Sequence, residues 1–206
     1  MGALCSPPSA RVESQRHRAS AREIAFLVAF ALIPGCGPLA TLRPISALAG
    51  QGSRELGLGA VAVSPRPYVD ERWSQAGQLW FTAKATPWLQ LSGISAFDAG
   101  ALGVGLGATA LLVRGSSFMA GVQAEAGYGW AAGGVPFAAR LFDQTWIYAE
   151  PRVTNLGIYP AVGTPIGLSL HIEKGAFLRL EYQASWERLQ SFNLRHHLAA
   201  GFAVQW

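Results

Sequence analysis

The first candidates for chemistry are ionisable side chains. They occur in stretches where apolar and polar residues alternate, the pattern of β-strands, and they would share one face of those strands. Successive side chains of a strand point to opposite faces, so residues two apart share a face. Arg179 and Glu181 are two apart, and His171 and Glu173 lie across a three-residue turn, so we expect these four to be neighbours. Two interpretations of this set are open. The first is a polar interior that passes or gates a small solute. The second, which is favoured because buried charges must pair, is a salt-bridge network that fills a closed interior. The whole same-facing set is Lys84, Glu125, His171, Glu173, Arg179 and Glu181.

A histidine pair, His196 and His197, lies close in sequence to Ser185 and Ser191. Nucleophilic catalysis needs a hydroxyl, a base and an orienting carboxylate in contact, and no spacing in the sequence indicates that contact. We therefore predict no enzyme activity and no catalytic residue. Adjacent residues of a strand point to opposite faces, so the histidine pair predicts no metal site either.

Other motifs that carry chemistry are missing from the sequence. Gly103, Gly105 and Gly107 lie in an alternating run that no helical pattern follows, so they lack the context of a nucleotide-binding loop. No P-loop, CxxC, HExxH or GxSxG motif occurs, and we expect no cofactor. The two cysteines, Cys5 and Cys36, precede the predicted mature domain, so no disulfide framework is expected there.

The composition favours a membrane protein. Half of the 206 residues are hydrophobic and 14% are charged, against roughly 25% in ordinary soluble domains. The net charge is +4, and no basic tract indicates binding to nucleic acid.

The N-terminus predicts export. Arginines precede the apolar run Ile24–Ile33, which has the length of a signal-peptide core and is too short to span a bilayer as a helix. We predict a signal peptide over residues 1–36, and two interpretations of its processing stay open. In the first, a lipoprotein-like box ends at Cys36, which would then be lipidated; otherwise Cys36 is unmodified or discarded. The alternative is cleavage after Ala49, at the A-x-A site that begins at Ala47. Residues 37–53 are predicted to be a linker.

Residues 55–206 predict a single all-β domain of hairpins. Eight alternating runs are separated by turn residues, which favours eight strands. Between the fifth and sixth of these runs, residues Ala131–Thr164 form either one long extracellular loop or two further strands, which would raise the count to ten. The eight runs begin at Glu55, Gly77, Trp88, Leu102, Ser117, Pro165, Ala176 and His196.

The second face of these runs decides between a soluble barrel and a membrane barrel. A soluble barrel would carry Lys and Glu on its outer face. Here the face opposite the apolar one consists of Gly, Ala, Ser, Thr and Gln with single charges, which suits a narrow lumen. Backbone groups in lipid must be paired, so the sheet must close. We therefore predict a closed antiparallel transmembrane barrel, in which alternation turns Trp80 inward; a soluble lipocalin-like periplasmic binding barrel is the remaining alternative.

The last ten residues, HLAAGFAVQW, resemble the closing strand of small Gram-negative outer-membrane β-barrel proteins. In that class a terminal aromatic preceded by alternating apolar residues is the assembly signal, here Leu198, Ala200, Phe202, Val204 and Trp206. The resemblance implies location in the outer membrane and insertion by the barrel-assembly machinery. It covers residues 55–206 and does not distinguish the members of the class.

Function is predicted only in outline. The favoured role is structural or surface-interacting, carried by outer loops at Pro65–Ala76, Ala131–Gln144 and Glu187–Arg195, whose arginines would contact lipopolysaccharide. The alternative is a porin-like narrow channel or carrier for a small solute, and the third hypothesis is a lipid-A-modifying barrel enzyme. A monomer is favoured.

Overall fold

The fold is described from a computed structural model, which describes residues 42–44, 52–65, 72–98, 101–127, 130–142, 145–156, 159–173, 175–188 and 192–206. The predicted signal peptide, both cleavage sites and Cys36 lie outside these residues. None of the described residues forms a helix long and apolar enough to cross a membrane.

The described residues form twelve β-strands, and the runs that alternate in sequence supply most of them. They are β1 (Arg54–Val63), β2 (Ser74–Thr86), β3 (Leu89–Asp98), β4 (Ala101–Arg114), β5 (Phe118–Gly127), β6 (Trp130–Gly134), β7 (Phe137–Phe142), β8 (Thr145–Ala149), β9 (Arg152–Leu156), β10 (Tyr159–Glu173), β11 (Ala176–Arg188) and β12 (Phe192–Gln205).

These strands close into one antiparallel barrel. Neighbours in sequence are hydrogen-bonded neighbours around most of the wall, and β12 returns to pair with β1, where Leu58 lies opposite Phe202. Between β10 and β11 the ladder is also continuous, with Leu168 opposite Leu180. The sheet therefore has no free edge, which confirms the predicted fold class.

Two of the wall strands are interrupted, and this explains the strand count. Strands β6 and β7 both pair with β5, and β8 and β9 both pair with β10, so each couple is one crossing with a break. The breaks contain Pro136 and Pro151, which cannot donate to a ladder. Among the described residues the wall thus has ten strands, the larger of the two numbers left open, and residues 131–164 are not one long excursion.

The two faces of the wall separate as the alternation predicted. On β12, Leu198, Phe202 and Trp206 are exposed on the outside, while Ala199 and Ala203 between them are buried. Leu58 is 61% exposed, whereas Trp80 is 1% exposed and points into the barrel. Apolar side chains therefore cover the exterior, and the interior is where polar chemistry is concentrated.

Most connections between the strands are short. At the end of the barrel that carries Gly52 and Trp206, here called the terminal end, two or three residues join each hairpin. At the opposite far end, residues 64–73 join β1 to β2, and every other hairpin has two or three linking residues. The predicted outer loop at 131–144 is wrong, because these residues supply β6 and β7. The predicted loop at 187–195 shortens to residues 189–191.

Candidate functional site in the barrel lumen

A buried ion pair joins the first strand to the last hairpin inside the barrel. Glu55 and Arg179 are both fully buried, and the guanidinium of Arg179 meets both carboxylate oxygens, with Nη1 2.7 Å from Oε1. Trp80 Nε1 donates to Glu55 Oε1 over 2.8 Å, and Gln205 Nε2 donates to Oε2 over 3.0 Å. The guanidinium also lies 5.7 Å from the Trp80 ring centroid, within the range of cation–π attraction. Such a bidentate pair, whose two carboxylate oxygens also accept hydrogen bonds from Trp80 and Gln205, offsets part of its desolvation cost.

Residues 42–44 lie inside the lumen and belong to no strand. We call Leu42, Arg43 and Pro44 the luminal segment, and all three are buried. The backbone N–H of Leu42 donates to Glu181 Oε2 over 2.8 Å, and its carbonyl oxygen accepts from Arg179 Nη1 over 2.8 Å. The wall therefore binds both backbone polar groups of Leu42, its N–H and its carbonyl oxygen.

The side chain of Leu42 packs into an apolar part of the lumen. Leu42 has a φ of +42°, an uncommon conformation for a residue with a side chain, and its side chain is fully buried. Its apolar neighbours are Val61, Val63, Trp80, Phe177, Ala199 and Ala203.

A second ionic centre surrounds Glu125. Arg43 Nη2 donates to Glu125 Oε1 over 2.6 Å, and Arg152 Nη2 donates to Oε2 over 2.9 Å. Gln123 Nε2 adds a third donor over 2.6 Å, and Arg43 Nη1 donates to Ser92 Oγ over 3.1 Å. One of the two cations on this carboxylate thus comes from the wall and the other from the luminal segment.

Little space remains beside the luminal segment. A cavity of about 10 Å³ lies between Arg43, Pro44 and the wall, which is room for about one water molecule. Its wall is polar and consists of Thr82, Gln90, Ser92, Thr109 and Gln123. At this level the segment occupies the space that the inward-facing side chains of the wall leave open.

The predicted same-facing ionisable residues separate into three places. Glu125, Arg179 and Glu181 are buried in the lumen. Lys84 is half-buried at the terminal end, where its Nζ donates to the Gly52 carbonyl over 3.2 Å. His171 and Glu173 lie at the C-terminal end of β10, where His171 is half-buried with its ring centroid 5.2 Å from that of Phe177 and Glu173 is exposed.

The expected four-residue neighbourhood is therefore not formed. The strand register places Ser169 opposite Arg179 and Phe177 opposite His171, so the turn offsets the two pairs along the ladder. The sequence analysis did not identify Glu55, Glu150 and Arg152. Arg152 Nη1 lies 3.8 Å from Glu150 Oε1, beside the break between β8 and β9.

The histidine pair diverges across the wall. His197 points inward and its Nε2 lies 2.9 Å from Ser185 Oγ, while His196 Nδ1 lies 2.8 Å from the Tyr182 hydroxyl on the outer face. Ser185 and His197 are both buried, so a lipid outside the barrel does not reach this hydroxyl. Among the described residues no group of three His, Cys, Asp or Glu side chains is placed to hold a metal ion.

The distribution of side chains across the wall decides the class of protein. A closed sheet has an apolar exterior of Leu, Val, Ile and aromatic residues, and its interior holds paired charges and amides. A soluble barrel would have the reverse arrangement. This is the side-chain distribution of a transmembrane β-barrel.

Comparisons with known proteins give only distant structural likenesses. No protein-family model matches the chain, and no curated protein matches its sequence. Among solved structures, a KdgM porin is similar, with 9% identity over 73% of this chain and 99% of that one and a TM-score of 0.46. The CymD monoaromatic hydrocarbon channel has 12% identity over 90% of this chain and 64% of that one, with a TM-score of 0.42. Neisserial surface protein A has 10% identity over 74% and 96%, with a TM-score of 0.36. We draw no functional argument from likenesses this distant.

Proposed function

We propose that this barrel is a narrow channel for a small polar solute and that the luminal segment closes it. One observation carries the proposal: the centre of a polar lumen is occupied by Leu42, Arg43 and Pro44, which belong to no wall strand. A barrel filled by its own wall side chains has a permanently closed interior. An interior filled by a separate segment opens when that segment leaves.

The lining at the segment supports passage of a polar solute. Thr82, Gln90, Ser92, Thr109 and Gln123 surround the small cavity beside Arg43. These hydroxyl and amide groups can exchange hydrogen bonds with water or a solute, as the wall of an aqueous pathway must.

The short connections at the far end of the barrel favour a channel over a surface-interacting role. That role depends on long loops, and of the far-end connections between the described strands only 64–73 is longer than three residues. Part of it, Arg72 and Trp73, is exposed. One connection of this size offers only a small surface for contact with a partner, whereas polar side chains line much of the lumen.

Electrical recording in planar lipid bilayers tests the proposal. The opened variant, defined as Leu42→Gly, Arg43→Ser and Pro44→Gly together, removes two side chains of the segment, shortens the third to a hydroxymethyl group and keeps the chain length. We expect the wild type to be mostly silent and the opened variant to conduct steadily. The matched control is Arg114→Ser, which removes an exposed arginine from the terminal end and is expected to stay silent.

The folded state of each protein is checked by comparing unheated and boiled samples on a gel. A folded opened variant that conducts no more than the wild type would show that the segment does not close a pathway, and the channel proposal would then be wrong.

A further inference from the structure

We infer that the place occupied by Leu42 and Arg43 is a binding site for short cationic peptides in which an apolar residue precedes an arginine. The inference rests on the proposed function, because such a peptide reaches the site only through a lumen that the segment has left. In the closed barrel the segment occupies the site as a tethered competitor.

The wall recognises a peptide backbone at this place. Glu181 Oε2 accepts the Leu42 N–H over 2.8 Å, and Arg179 Nη1 donates to the Leu42 carbonyl over 2.8 Å. The Tyr148 hydroxyl donates to the same Glu181 oxygen over 3.1 Å and so orients the carboxylate. A carboxylate and a guanidinium aimed at one residue match the donor and the acceptor that every peptide presents.

The wall recognises a cation at the next residue. Glu125 accepts from Arg43 Nη2 over 2.6 Å, and Ser92 Oγ accepts from Nη1 over 3.1 Å. Arg152 and Gln123 hold the carboxylate from the other sides, so Glu125 is positioned by the wall before any ligand contributes.

The charge of the wall supports a positively charged ligand. Of the residues that the structure describes, the buried charged side chains of the wall are five glutamates and three arginines, and Arg43 of the segment adds the fourth arginine. A desolvated carboxylate excess is unfavourable without a counter-charge. The members are Glu55, Glu125, Glu150, Glu181 and Glu187 with Arg152, Arg179 and Arg195.

The wall also makes room for an apolar side chain ahead of the cation. A Cβ on Gly59 would lie 2.6 Å from Leu42 Cδ1, and a Cβ on Gly201 would lie 3.3 Å from it. The absence of these two side chains leaves a recess whose other neighbours include Val61, Val63 and Trp80. The recess, the backbone contacts and the carboxylate together favour a peptide over a simple metal cation.

Titration calorimetry on the opened variant tests the inference. The probe is acetyl-Leu-Arg-Pro-amide, and the comparison peptide is acetyl-Leu-Glu-Pro-amide. We expect the arginine peptide to bind the opened variant and to bind about 30-fold more weakly when Glu125→Gln is added, as is typical of removing one partner of a buried charge pair. The matched control is Glu187→Gln in the same background, since Glu187 pairs with Arg195 3.4 Å away and lies outside the site.

Bilayer recording with the same peptides separates the two proposals. A peptide that binds and blocks the current of the opened variant supports both. Steady current with no binding and no block by the arginine peptide overturns the peptide site and leaves the channel standing. Binding without any current refutes the channel and supports the site. If guanidinium chloride blocks the current as well as the arginine peptide does, the site binds simple cations. If the two peptides block the current equally, the site does not recognise charge. Either result overturns the inference.

Discussion

Removing Arg179 should be among the most destabilising single changes in the barrel wall. In Arg179→Met the carboxylate of Glu55 stays buried with neutral donors from Trp80 and Gln205 and without its counter-charge. Breaking a buried ion pair from one side typically costs about 3–5 kcal/mol. The lost hydrogen bond to the Leu42 carbonyl adds about 1 kcal/mol. We therefore expect the free energy of unfolding to fall by about 4–6 kcal/mol.

The double variant Arg179→Met, Glu55→Gln identifies the cause of this loss. A glutamine at position 55 needs no counter-charge and still offers an oxygen to Trp80 Nε1. Since neutral replacements of buried pairs are often tolerated, we expect the double variant to recover to within about 2 kcal/mol of the wild type. The assay is urea unfolding in detergent micelles, read by tryptophan fluorescence and by gel mobility of unheated samples.

An exposed arginine at the terminal end provides the control. Arg114→Met removes an exposed arginine whose Nη1 lies 3.4 Å from the Pro87 carbonyl, and it should change stability by less than about 0.5 kcal/mol. If Arg179→Met costs less than about 1 kcal/mol, or if the double variant is as unstable as the single one, the buried charge of Glu55 is not the source of the effect.

Two further predictions concern packing and processing. Gly57→Ala places a Cβ against the Trp80 ring and should lower stability by about 1–3 kcal/mol. In Gly133→Ala the new Cβ lies 3.8 Å from the Gln123 carbonyl oxygen, an ordinary contact, and stability should change by less than about 1 kcal/mol. Equal losses of stability in urea unfolding would refute the packing argument. The barrel purified from outer membranes should retain Leu42, because cleavage after Ala49 would remove the donors to Glu125 and Glu181; an intact mass that begins at residue 50 would contradict this expectation.

Alternation was sufficient to predict the wall, because it reports directly which face a side chain occupies. It placed Trp80 inside, against the usual position of tryptophan at a membrane interface, and the hydrogen bond from its indole to Glu55 explains that position. The strand count was harder to predict. The interruptions at Pro136 and Pro151 divide two crossings into pieces of five or six residues, which are too short to show a period clearly.

The luminal segment could not be predicted from the sequence. Leu42, Arg43 and Pro44 have no period of their own and lie in a stretch whose Pro and Gly content indicates a linker. Their position depends on contacts with Glu125, Glu181 and other wall residues that are distant in sequence. A pattern within one strand carries no information about a segment that lies across several.

The partners of Glu55 have a consequence for how long a folded barrel persists. Its donors come from β2, β11 and β12, so the carboxylate leaves water completely only when the last hairpin joins the first strand. Separating β1 from β12 exposes this ion pair to water. We therefore expect the pairing of the first and last strands to slow the unfolding of the barrel.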